Sequence, residues 1–131
     1  MPDHAVTLGA TKTESTLLVL FIPSKDRFGK DIDQEFWEDE ALKMLGTNFR
    51  GGTAFPQGRG VWRDDAQGGI LLFDNPIVIQ CYTSDEALEA HGQELRAFLV
   101  RMGTETKQGA VGLVIDRDYL EIAFELPETG K

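Results

Sequence analysis

Arg50, Arg59 and Arg63 stand in a stretch that also holds Gly51, Gly52, Gly58 and Gly60 and meets no acid before Asp64. A guanidinium is a permanently charged planar fork of donors that fits carboxylate and phosphate oxygens. Glycines let backbone N–H groups come close to such a ligand. If Gly60–Arg63 is extended, Arg59, Val61 and Arg63 share one face and Trp62 points to the other. Gln108 and Lys107, at the joint between a helix and the next strand, would face the same region across a sheet. The candidate ligand-binding residues are therefore Arg50, Arg59, Arg63, Trp62 and Gln108, and the ligand expected from the arginines is a small anion. Two alternatives stay open. The arginines can pair internally with the acids of the first helix, and Trp62 can belong to the core, because a sheet face beneath helices needs large apolar residues.

Other chemistry finds fewer residues. Cys81 ends an apolar strand, which suits a buried structural thiol better than a nucleophile. His4 and His91 have no second ligand at metal spacing, and His91 lies on or beside the apolar stripe of a helix. The acids from Asp31 to Glu40 read as the solvated face of an amphipathic helix, with paired carboxylates as the alternative. There is no phosphate-cradling glycine motif, no G-x-S-x-G elbow and no H-E-x-x-H. No metal and no cofactor is expected.

The elements that must position these residues follow from the pattern. The chain has 131 residues, 22 acidic and 13 basic, with a formal charge of −9. Its length suits one domain with a sizeable core, and its acidity disfavours a nucleic-acid binder. One cysteine excludes an internal disulfide. No segment has the length of a membrane span and the N-terminus lacks the pattern of a secretory signal, so the expected location is cytoplasmic. Residues 1–14 read as a flexible arm or weak edge strand, 15–126 as a single α+β domain and 127–131 as a tail. Thr16 to Ile22 is a continuous apolar run, as in a central strand. A helix follows, with Asp31 as N-cap, Gln34 completing the capping pair and Gly46 as terminator. Ile70–Phe73 and Ile77–Tyr82 read as extended, with Asp74-Asn75-Pro76 bending the ladder between them. Thr83–Glu86 opens a second helix that Gly103 closes. Ala110–Ile115 and Tyr119–Phe124 form a hairpin around Asp116-Arg117-Asp118. Two helices separated by strand pairs predict a ferredoxin-like βαββαβ sandwich: an antiparallel sheet, both helices on one face, and an extra C-terminal hairpin strand.

Trp37, Phe49 to Gly52, Gly60-Val61-Trp62 and Gln108 to Val111 give the chain a resemblance to a small bacterial family, the domain of unknown function numbered thirty-five seventy-four. The chain departs from that pattern at Arg50, where the family carries Pro, and at Thr53, which directly follows Gly52. The resemblance implies a ferredoxin-like fold and brings no activity with it.

With no nucleophile–base pair and no metal set, the sequence favours a small acidic binding or protein-interaction module over an enzyme. Such a module would act through an open sheet face or edge strand, as a homodimer or with a protein partner. The alternatives are a metal-free enzyme of the dimeric α+β barrel type acting on an acidic ligand, and an acidic mimic that occupies a basic nucleic-acid-binding protein.

Overall fold

The computed structural model describes residues 3–124. The expected tail at 127–131, and the last two residues of the expected domain, lie outside the described residues. Over the described residues the chain is α+β, with three helices and antiparallel strand pairing throughout. Helix α1 is His4–Leu8, with no buried residue, in the segment expected as an arm. Strand β1 is Thr16–Ile22, α2 is Gln34–Phe49 and β2 is Thr53–Phe55. Then come β3 at Gly60–Asp64, a short 3-10 turn at Asp65–Gln67, and β4 at Ile70–Asp74. Strand β5 is Ile77–Thr83, α3 is Asp85–Glu105, β6 is Ala110–Ile115 and β7 is Asp118–Ala123.

Five strands form one sheet in the order β2-β5-β1-β6-β7, so the apolar run of β1 sits at its centre. Strand residues alternate between faces. Leu18, Leu20 and Ile22 of β1 and Ile79 of β5 are fully withdrawn from water on one face. There they meet Trp37, Ala41, Leu45 and Phe49 of α2 and Leu95, Phe98, Leu99 and Met102 of α3. Both helices therefore cover the same face. Trp37 meets Phe98 edge-on at 6.3 Å between the helices. Arg101 lies over the Trp37 ring at 4.9 Å and donates to Glu40 at 2.6 Å. Leu17, Phe21, Val78, Gln80 and Tyr82 belong to the opposite, helix-free face.

The helix ends differ from expectation in detail. Asp33, not Asp31, caps α2, accepting from the N–H of Phe36 at 3.2 Å. The helix runs through Gly46, whose exposed position meets no neighbour within 4 Å. It stops at Arg50, which takes the left-handed conformation at φ 74°. Ser84 caps α3, and that helix passes Gly103 because the glycine gives room to the Phe124 ring.

The larger correction concerns Asp74-Asn75-Pro76. It does not bend one ladder. It carries the chain from one sheet to another, because among the described residues β4 pairs only with β3, as a separate two-stranded ribbon. Both ends of this ribbon are tied down. Ser24 donates its N–H to the Asp74 carboxylate at 3.3 Å and accepts the N–H of Asn75 at 2.8 Å. At the far end, buried Asp64 pairs with buried Arg27 at 3.0 Å.

Candidate functional site

The inner side of the ribbon carries Gly60, Trp62 and Asp64, and its outer side Val61 and Arg63. Trp62 is thereby aimed at the helix-free face of the sheet. Between them lies a cleft of about 240 Å³. Its aromatic walls are Trp62, Phe21 of β1 and Tyr119 of β7. Pro23, Pro76 and Ala110 add apolar surface, and Asp74 and Gln108 add polar groups.

Each wall has a local cause. Tyr119 lies across Gly112 of the neighbouring strand, and a Cβ at that glycine would collide with the ring. The Tyr119 hydroxyl donates to Glu121 at 3.2 Å, and burial, then the Glu121 charge, raise its pKa. Gly60 brings the ribbon backbone against Asp74, where a Cβ would stand 3.3 Å from Oδ1. Among the described residues, Asp74 is the one charged side chain in the lining. Burial holds its pKa above the ordinary 3.8, against the opposing pull of the Ser24 N–H and the Lys25 charge. Gln108 is buried and structural in its amide nitrogen, which donates to the carbonyls of Lys25 at 2.8 Å and Thr106 at 3.3 Å.

The residues expected from sequence are thus divided. Trp62 and Gln108 share the cleft. Trp62 is half-buried on the helix-free side, not in the core beneath the helices, because the ribbon has left the main sheet. The three arginines do not converge. Arg63 pairs with Asp65 at 2.6 Å on the ribbon's exposed face. Arg59 lies over the Phe73 ring at 5.3 Å. Arg50 borders a different cavity, at the opposite edge of the sheet. His91 interrupts α3 with non-helical backbone and packs edge-on against Phe49, and it lines neither cavity. Cys81 is 2% exposed, and burial, then the Glu14 charge, push its thiol pKa up. No motif or spacing in the sequence marks Phe21, Asp74 or Tyr119 as site residues. Only the alternation of β1 and of the terminal hairpin hinted at which side two of them would face.

Among the described residues, no three His, Cys, Asp or Glu side chains stand close enough to share a metal ion. No helix there is long and apolar enough to cross a membrane.

No family model matches the chain, and no curated protein matches it. Two solved structures share its fold. One is a phage SAM lyase in complex with S-methyl-5′-thioadenosine, with a TM-score of 0.64 and 16% identity over 90% of this chain and 98% of that one. The other is a phage SAM lyase in the apo state, with a TM-score of 0.62 and 17% identity over 90% and 96%. At this identity the likeness defines the class of fold.

Proposed function

We propose that the domain binds a small molecule in the cleft between the helix-free sheet face and the β3–β4 ribbon. The observation that carries this reading is the convergence of Trp62, Phe21 and Tyr119 on one cleft whose charged lining group is Asp74. Apolar clefts with a few placed polar groups are the usual form of small-molecule sites. At about 240 Å³ the cleft accommodates a flat heteroaromatic ring with its substituents partly in solvent. A carboxylate at the rim repels acids, so the ligand is neutral or positively charged, unlike the acidic ligand expected from the arginines. A cation would also be held by the faces of Trp62 and Tyr119.

A nucleoside thioether, such as the ligand held by the phage lyase structure, has these features, and its sulfonium parent adds the positive charge. In this reading the fold is the ferredoxin-like plan, supported by the order β2-β5-β1-β6 with a helix after β1 and another after β5. Of the four segments that carry the resemblance to family thirty-five seventy-four, two reach this cleft, through Gly60, Trp62, Gln108 and Val111, while Trp37 lies in the core and Phe49–Gly52 line the other cavity.

Calorimetric titration with S-methyl-5′-thioadenosine and with S-adenosylmethionine tests the reading. Both should bind, Trp62→Ala should abolish both, and Asp74→Asn should weaken the sulfonium more than the thioether. Absence of heat with either compound at millimolar concentration would refute it.

A second reading, self-association, is favoured by the ribbon's outer face. Val61, Leu71 and Phe73 are 53%, 60% and 52% exposed there, side by side across the ladder. Exposed apolar patches of this kind mark interaction surfaces. Sedimentation velocity tests it: a monomer at all concentrations would remove self-association, while a dimer lost in Phe73→Lys would support it.

A further inference from the structure

A second cavity, of about 370 Å³, opens where α2 ends and the edge strand β2 begins. Arg50, Gly52, Thr53, Phe55, Gln80 and Tyr82 line it, and Lys12 closes one side. Arg50 is the C-cap of α2 and holds φ at 74°. That conformation belongs by preference to glycine or asparagine. A glycine would end the helix with less strain, so the arginine side chain contributes nothing the helix end requires.

Its guanidinium forms no ion pair and no hydrogen bond among the described residues, in contrast to Arg27, Arg63 and Arg101. Lys12 pairs with Glu14 at 3.1 Å, which leaves Arg50 as the uncompensated charge in the lining. This positive surplus stands in a chain of net charge −9. Beside it, Phe55 and Tyr82 are 45% and 61% exposed on the same sheet face. Cys81 forms part of the wall, but it is buried and offers no thiolate.

We propose that this cavity binds a small oxyanion carrying an aromatic or apolar group, with Arg50 gripping the anion and Phe55 and Tyr82 covering the ring. A planar guanidinium meets a carboxylate or phosphate through two parallel hydrogen bonds. The binding class expected from Arg50 in the sequence is thereby placed at this edge, apart from the cleft, and it does not depend on what the cleft holds.

Phenyl phosphate is the probe, titrated into the full chain and followed by amide and arginine side-chain NMR, with inorganic phosphate and phenol titrated separately. Saturable shifts are expected at Gly51–Thr53, Tyr82 and the Arg50 side chain, with phenyl phosphate bound more tightly than either fragment. Arg50→Gly should weaken binding at least tenfold while leaving the melting temperature unchanged or raised, since glycine suits the backbone there. That variant separates loss of the site from loss of the fold. Arg63→Ala, in neither cavity, should bind normally. Unchanged affinity in Arg50→Gly, shifts confined to the Trp62 cleft, or no saturation in the millimolar range would each overturn the proposal.

Discussion

Arg27 and Asp64, 37 residues apart, form an ion pair at 3.0 Å with only 4% and 5% of their side chains exposed. Gln67 completes the knot, donating to Asp64 at 2.6 Å and to the Arg27 carbonyl at 3.1 Å. The guanidinium rests on Gly109, where a Cβ would come within 2.9 Å of it. Asp64 is the last residue of β3, so the pair fixes the end of the ribbon against the sheet and holds Trp62, two residues earlier, over the cleft. Arg27 Nε and Nη1 are buried with no hydrogen-bond partner among the described residues. The guanidinium thus depends on Asp64 for its compensation.

Removing one partner should therefore be far worse than removing both. Asp64→Ala should cost about 3–5 kcal/mol, because it strands a buried charge. The double variant Arg27→Met, Asp64→Leu should recover most of that loss. Urea denaturation at neutral pH measures both, and a single variant as stable as the double one would contradict the assignment.

The two aspartates of the ribbon respond to pH with opposite signs. For Asp64, burial raises the pKa, but hydrogen bonds from Gln67, Arg27 and the Ala66 N–H, with the Arg27 charge, bring it below the ordinary 3.8. Its stabilising contribution is present above 3.8 and is lost as pH falls through the lower, folded-state value. For Asp74 the folded pKa is raised, so its contribution is full below 3.8 and is lost as pH rises through the folded-state value. Asp74→Asn should remove that second slope and leave the first. Urea midpoints measured from acid to neutral pH in the two backgrounds show whether the slopes separate in this way. In the wild-type cleft, a cationic ligand should bind more tightly as pH rises through the Asp74 pKa.

The two tryptophans should part company under mutation. Trp37 is 5% exposed between the helices, and Trp37→Ala should cost about 3–5 kcal/mol. Half-buried Trp62 fills no core, so Trp62→Ala should cost about 1 kcal/mol and abolish cleft binding. Denaturation curves paired with calorimetry distinguish the structural tryptophan from the binding one.

Gly112→Ala should act on the cleft from below. Its new Cβ must displace the Tyr119 ring, removing one aromatic wall. Ligand affinity should fall about tenfold, as expected when about 1–1.5 kcal/mol of aromatic contact is lost. Titration of this variant with S-methyl-5′-thioadenosine provides the check, and full affinity would show that Tyr119 does not face the ligand.

Local rules made several elements legible before the structure. The continuous run Thr16–Ile22 marked a central strand, and Asp116-Arg117-Asp118 marked the turn of the last hairpin, which the structure tightens to two residues because Asp118 already pairs with Ile115 as the first residue of β7. Glycine rules misled at Gly46 and Gly103, because an exposed or closely packed glycine is tolerated inside a helix that tertiary packing supports. Nothing in the sequence near Arg50 announced that an arginine would take the left-handed position. The alternation around Trp62 correctly separated it from Val61 and Arg63, but periodicity cannot tell a strand in the main sheet from one in a detached ribbon. That distinction depends on Ser24, Arg27 and Gln67, whose partners are distant in sequence. The cleft was hidden for the same reason: Phe21, Asp74 and Tyr119 come from three strands.

The most direct test of the cleft is the indole N–H signal of Trp62 in a ¹H–¹⁵N spectrum, recorded as S-methyl-5′-thioadenosine is added. A saturable shift of the Trp62 indole is expected, with the Trp37 indole unmoved. Two stationary indole signals at millimolar ligand would contradict it.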